Sequence, residues 1–137
     1  MPTLTPERSA TRARSTIRIH AADYETLSDL IVPTAEPTPG MRLLAAELER
    51  ATVLDGPSRA EFVRLGSVVD YEDLGSGRVR TVRVSLPREA SIDDGSISVL
   101  APIGAALIGL SPGQSFGWRD ENGRERAIRV LAVRSHG

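Results

Sequence analysis

The sequence predicts an α+β protein, with a short N-terminal antiparallel helical hairpin followed by a mostly antiparallel sheet that carries one short helix across it. Three observations carry that class. Apolar residues recur at helical spacing on both sides of a proline-rich break between residues 21 and 53. From residue 67 to 133 the period changes to alternation, punctuated by glycine-containing turns. Within that second region Ile97 to Leu110 runs fourteen residues without a charge, in a chain that is 26% charged. Such a stretch is buried or is a contact surface.

Composition narrows the function classes. At 137 residues the chain is one domain of common size, or a small core with an appended helical piece. A net charge of -1 gives no global field toward nucleic acid or a membrane. The absence of cysteine removes disulfides, thiolate metal sites and cysteine nucleophiles together. All 17 basic residues are arginine, which reads as a compositional bias of the source genome. No apolar run approaches the roughly 18 to 20 residues of a membrane span, and the N-terminus lacks the apolar core of a secretory signal. A soluble cytoplasmic protein with no membrane partner is expected.

Residues 1–15 hold prolines, hydroxyls and three arginines with too few apolar groups to offset ordering, so a flexible arm is expected. Residues 16–58 form the predicted hairpin, a short coiled coil. Thr16 to Ile19 is briefly extended, and Ala21 to Val32 is a helix with Tyr24, Leu27, Leu30 and Ile31 in one stripe. Pro33 stops it, and Thr34 to Gly40 makes a rigid connection. A second helix is predicted from Met41 to Val53, with Leu44, Ala45, Leu48, Ala51 and Thr52 inward and Arg42, Glu47, Glu49 and Arg50 wet. Asp55-Gly-Pro-Ser ends it, placing a boundary near residue 58.

Residues 59–137 form the sheet domain. Ser67 to Asp73 and Arg78 to Leu86 make a hairpin turned by Leu74 to Gly77, with Val82, Val84 and Leu86 on one face. Pro87 to Gly95 is a polar excursion. In the uncharged stretch, Ile97 to Leu100 is a strand, Pro102 suits the first turn of a helix, and Gly109 supplies its left-handed closing residue. Leu107, Ile108 and Leu110 belong to the core. Gln114 to Arg119 and Arg124 to Val133 are joined by a tight Glu-Asn-Gly turn. Along the last strand Ile128, Val130 and Ala132 fall on one side, Leu131 and Val133 on the other.

The segment from Ile97 to Trp118, Ile-Ser-Val-Leu-Ala-Pro-Ile-Gly-Ala-Ala-Leu-Ile-Gly-Leu-Ser-Pro-Gly-Gln-Ser-Phe-Gly-Trp, follows Leu65-Gly-Ser-Val-Val-Asp-Tyr-Glu-Asp-Leu. It resembles the C-terminal domain of the bacterial transcript cleavage factors, the GreA/GreB family. With its short hairpin and Ala-Pro in place of Ser-Pro, it is more similar to the family's branch of regulators of nucleoside diphosphate kinase. The resemblance covers about residues 62 to 133 and implies an FKBP-like fold that docks on RNA polymerase at the rim of the secondary channel. The residues it implies for that contact are Val99, Leu100, Ala101, Pro102 and Ile103. In the family a long coiled coil presents acidic residues to hold a catalytic magnesium. Here the tip offers only Glu36, and arms of about 12 and 13 residues reach only about 20 Å. A non-catalytic regulator that competes with Gre factors is therefore expected, with no cofactor, no metal and no catalytic residues.

The residues bear on three other classes. An FKBP-like fold suggests a prolyl isomerase, but that pocket needs an aromatic cluster, and only Tyr71, Phe116 and Trp118 fall on the sheet. Phosphotransfer lacks a phosphate-cradling glycine loop, and His20 and His136 both read as solvated. A nucleic-acid module would use Arg78, Arg80 and Arg83 with Arg124, Arg126 and Arg129. Glu72, Asp73, Glu121 and Glu125 lie close in sequence, so cross-strand charge pairing is the expected use and direct nucleic-acid binding is not. The sequence leaves the oligomeric state open and favours a monomer.

Overall fold

The computed structural model describes residues 17–55 and 61–134. The expected arm over 1–15, the boundary near residue 58 and His136 lie outside the described residues.

Strand β1 (Arg18–His20) leads directly into α1 (Ala21–Leu30), whose Leu27 is buried. The helix ends two residues before Val32, with Ile31 already extended at φ -88° and ψ 102°, because the ring of Pro33 disfavours helical backbone just before it. Helix α2 (Pro39–Arg50) opens with Pro39 in its first turn, and the Thr38 hydroxyl accepts a 3.2 Å hydrogen bond from the amide of Met41. It starts two residues earlier than its apolar stripe indicates and stops earlier too. Thr52 and Val53 are not helical; they form β2 (Thr52–Leu54), which pairs in parallel with β1. Both are β-branched and fit a pleated backbone once a partner strand is present.

The second part is a five-stranded sheet. Its strands are β3 (Val68–Asp73), β4 (Val79–Ser85), β5 (Ser96–Ser98), β6 (Ser115–Arg119) and β7 (Glu125–Arg134), in spatial order β5-β4-β3-β7-β6. Every neighbouring pair is antiparallel except β4 with β5. Val69, Tyr71, Val84, Phe116, Trp118, Ile128 and Val130 turn one face of the sheet inward. Helix α3 (Pro102–Leu107) lies on that face, and Leu107, Ile108 and Leu110 are each at most 1% exposed.

The alternation along the last strand fails at one point. Val130 pairs with Tyr71 and Ala132 pairs with Asp70, so Leu131 is an extra residue, a β-bulge. The bulge reverses the phase. Val133 opposes the buried Val69 and packs on the core, whereas Ala132 opposes Asp70 on the outer face and Leu131 is 43% exposed.

One hydrophobic core runs through both parts. Ile17, Ile19, Leu27, Leu44 and Leu48 from the N-terminal region join Val69, Val84, Leu107 and Val130 in a single cluster. A backbone bond stitches the same seam, the Arg18 amide donating to the Gly109 carbonyl at 3.1 Å, while the Thr52 amide donates to that of Ile17 at 3.0 Å within the N-terminal region. Gly109 closes α3 at φ +82°, with Ile17 directly against it.

Candidate functional site

The turn from β5 into α3 is an elbow built almost wholly by backbone groups. The Val99 amide donates to the Ser85 carbonyl at 2.9 Å, the Leu100 amide to the Ser98 hydroxyl at 2.9 Å, and the Ala101 amide to the Ser98 carbonyl at 2.9 Å. Pro102 then occupies the first helical position, where its missing N–H costs nothing.

The five residues expected to make the partner contact do not share one exposure. Val99 is fully buried, so its side chain anchors the elbow. Pro102 is exposed, and Leu100, Ala101 and Ile103 are half-buried with one side toward solvent. Leu100 and Ile103 also pack on the core, which fixes their position before any partner arrives.

Two grooves flank the elbow. The first, of about 410 Å³, has an apolar floor of Pro39, Leu43, Ala46, Pro102 and Trp118. Its rim carries Arg42, Arg119, Asp120 and Glu121. The second, of about 540 Å³, is lined by Ile97, Ser98 and Ala101 with the turn residues Ala90, Ser91 and Asp93. Pro102 thus lines one groove and Ala101 the other, and neither Val99 to Ile103 nor the first groove's floor holds a group that titrates near neutral pH.

The contribution of α2 was not legible in the sequence. Pro39, Gly40 and Leu43 come within reach of the elbow because α2 packs on α3, and nothing in their spacing signals a contact with residues sixty positions later. Glu47 is another correction. It lies buried, not wet, and receives a 2.8 Å hydrogen bond from Nη2 of Arg50. Burial pushes its carboxyl above the ordinary range, and Arg50 only partly offsets this.

The other sequence candidates separate. Glu36 is exposed in the α1–α2 loop, and its own amide donates to the Thr34 hydroxyl at 3.3 Å. Among the described residues no three His, Asp or Glu side chains come together to hold a metal ion. Tyr71 and Phe116 are inside the core, leaving Trp118 as the aromatic at the first groove. His20 packs against Phe62 with ring centroids 5.5 Å apart. On the sheet, Arg126 meets Asp73 at 3.6 Å and Arg119 meets Glu125 at 3.5 Å. Asp70 takes two bonds from Arg134 and one from Thr81, which hold its carboxyl below the usual range.

The model of the GreA/GreB transcription elongation factor C-terminal domain matches residues 58–135. The chain belongs to the GreA/GreB family. Over 123 residues it is 32% identical to the regulator of nucleoside diphosphate kinase of Escherichia coli, which covers 88% of this chain and 90% of that protein. It is 40% identical over 92 residues to a transcription inhibitor protein of Thermus thermophilus, covering 66% of this chain and 56% of that one. Among solved structures, a prokaryotic transcription elongation factor GreA/GreB from Nitrosomonas europaea superposes with a TM-score of 0.66 at 30% identity, over 88% of this chain and 98% of that one. The elbow, from β5 into α3, falls inside the matched domain. No helix among the described residues is long and apolar enough to cross a membrane.

Proposed function

We propose that this protein is a non-catalytic transcription regulator of the bacterial cytoplasm. It docks through its elbow on RNA polymerase near the secondary channel and competes there with Gre factors. The observation that carries the reading is the elbow's split construction. Val99 is locked in the core while Pro102 is exposed at the floor of the first groove. A ridge stiffened in this way loses little conformational entropy on docking and offers apolar area at once.

The absence of cleavage stimulation follows from reach and chemistry. Helices of 10 and 12 residues extend about 15 to 18 Å, and the loop between them contains one carboxylate, Glu36. Magnesium held beside a phosphate ordinarily takes one or two protein carboxylates with near-octahedral geometry, and an exposed single glutamate between Ala35 and Pro37 is poorly placed to supply it. Docking without reach makes a competitor.

The test is capture of core RNA polymerase by the wild type and by Pro102→Asp and Leu100→Asp, each checked for native circular dichroism. The wild type retains polymerase, and both variants lose it while staying folded, since a charge on a desolvated ridge has no partner. Equal capture by all three proteins overturns the assignment of the elbow.

A further inference from the structure

The helical hairpin does not stand apart from the elbow. Gly40, in the first turn of α2, is buried on the backbone of Leu100 and Ala101. A methyl group at Gly40 would overlap the Leu100 carbonyl and lie 3.1 Å from the Ala101 carbonyl carbon. Gly104 of α3 likewise lies against the Ser98 carbonyl, where an added methyl would overlap the oxygen. The backbone from Ser98 to Ala101 is therefore in close contact with two helical glycines, one on each helix. Alanine is the better helix former, so local propensity disfavours both glycines, and only the close approach accounts for them.

We propose that α2 is a clamp that sets the shape of the elbow, with Gly40 as its positioning residue, so that the hairpin acts on the partner through the docking surface and not through its tip. The inference rests on the docking reading above. Gly40 itself touches no partner. Its role is to let α2 settle far enough onto Leu100 for Pro102 and the floor of the first groove to form one continuous surface.

The test compares full-length wild type, Gly40→Ala, Thr38→Ala and Leu44→Ala. Each is measured for affinity to core RNA polymerase, for amide exchange at Leu100, Ala101 and Ile103, and for unfolding temperature. Gly40→Ala should weaken polymerase binding at least tenfold and speed exchange at those three amides. Thr38→Ala, which removes the hydroxyl that caps the same turn, should show the same changes in smaller degree and remains informative if Gly40→Ala does not fold. Leu44→Ala removes a fully buried side chain one turn along. It should lower the unfolding temperature while leaving binding within twofold below that temperature.

Binding of Gly40→Ala within twofold of wild type overturns the proposal, whether or not exchange changes. So does a loss of binding in Leu44→Ala equal to that in Gly40→Ala, which would make stability the cause. If the wild type itself does not bind polymerase, the docking reading fails; unchanged exchange at the elbow in Gly40→Ala then removes the clamp as well.

Discussion

Arg50 donates a 2.8 Å hydrogen bond to Oε1 of Glu47, and the same guanidinium lies 5.9 Å from the centre of the Phe116 ring. One side chain thereby partly offsets the burial of a carboxyl on α2 and lies over an aromatic on β6. It ties the hairpin to the edge of the sheet that forms the far wall of the first groove.

Glu47 gives a pH prediction with a definite sign. Its folded pKa lies above the ordinary 4.5, mainly through burial, so the protonated form is favoured by folding. Its contribution to stability is complete below that value and declines as pH rises through the folded pKa. Glu47→Gln cannot ionise. Unfolding midpoints of the two proteins between about pH 4 and pH 7 should show the variant gaining on the wild type as pH rises. A variant that instead loses ground to the wild type as pH rises means the Arg50 interaction outweighs burial.

Asp70 predicts the opposite slope. Hydrogen bonds from Arg134 and Thr81 hold it below its ordinary 3.8, so its stabilisation is present above that value and is lost as pH falls through the folded pKa. Asp70→Asn should cost stability at neutral pH, and the cost should shrink as pH falls below the ordinary 3.8. The cost should shrink with added salt, because the pair lies on the open face of the sheet. Thermal melts at two pH values and two salt concentrations check it.

Gly109→Ala tests the seam between the two parts. The position needs φ +82°, and an added methyl would lie 2.8 Å from Cβ of Ile17. The backbone strain alone costs about 1–3 kcal/mol, and displacing Ile17 adds to it. Chemical denaturation should show that loss. Gly113→Ala has a similar φ of +89° with nothing near the new methyl, and it should cost distinctly less.

The bulge at Leu131 supplies a paired prediction. Val133→Ala should lose about 1 kcal/mol or more because Val133 packs on the core. Leu131→Thr should stay within about 0.5 kcal/mol of wild type. The regular alternation expected from the sequence assigns both residues to the same face, and the two denaturation curves separate the registers.

The elbow was legible because its signals are local. Pro102 at a first helical turn and Gly109 just past the last one mark a helix whatever surrounds it. The inward residues of β3 and β4 were legible for a similar reason, since Tyr71 and Val84 sit between polar neighbours and Val69 keeps the same phase as Tyr71. What failed was set by distant partners. Thr52 and Val53 continue a helical stripe in sequence, but Arg18 and Ile19 lie beside them in space and convert them to strand. Glu47 looks like a wet-face residue until α2 is laid on the rest of the fold. Gly40 ends a proline-rich connection and reads as a turn; its use, admitting the Leu100 carbonyl, appears only when α2 and α3 are packed together.

The central claim is that the elbow docks where Gre factors dock, in a chain that cannot do their chemistry. It is tested most directly by titrating this protein into a complex of RNA polymerase with a fluorescently labelled Gre factor, while following the label's anisotropy and cleavage of a backtracked transcript. The account predicts displacement of the label with a matching loss of cleavage, and no displacement by Pro102→Asp. A label that stays bound at saturating protein, or cleavage that rises when this protein is added alone, contradicts it.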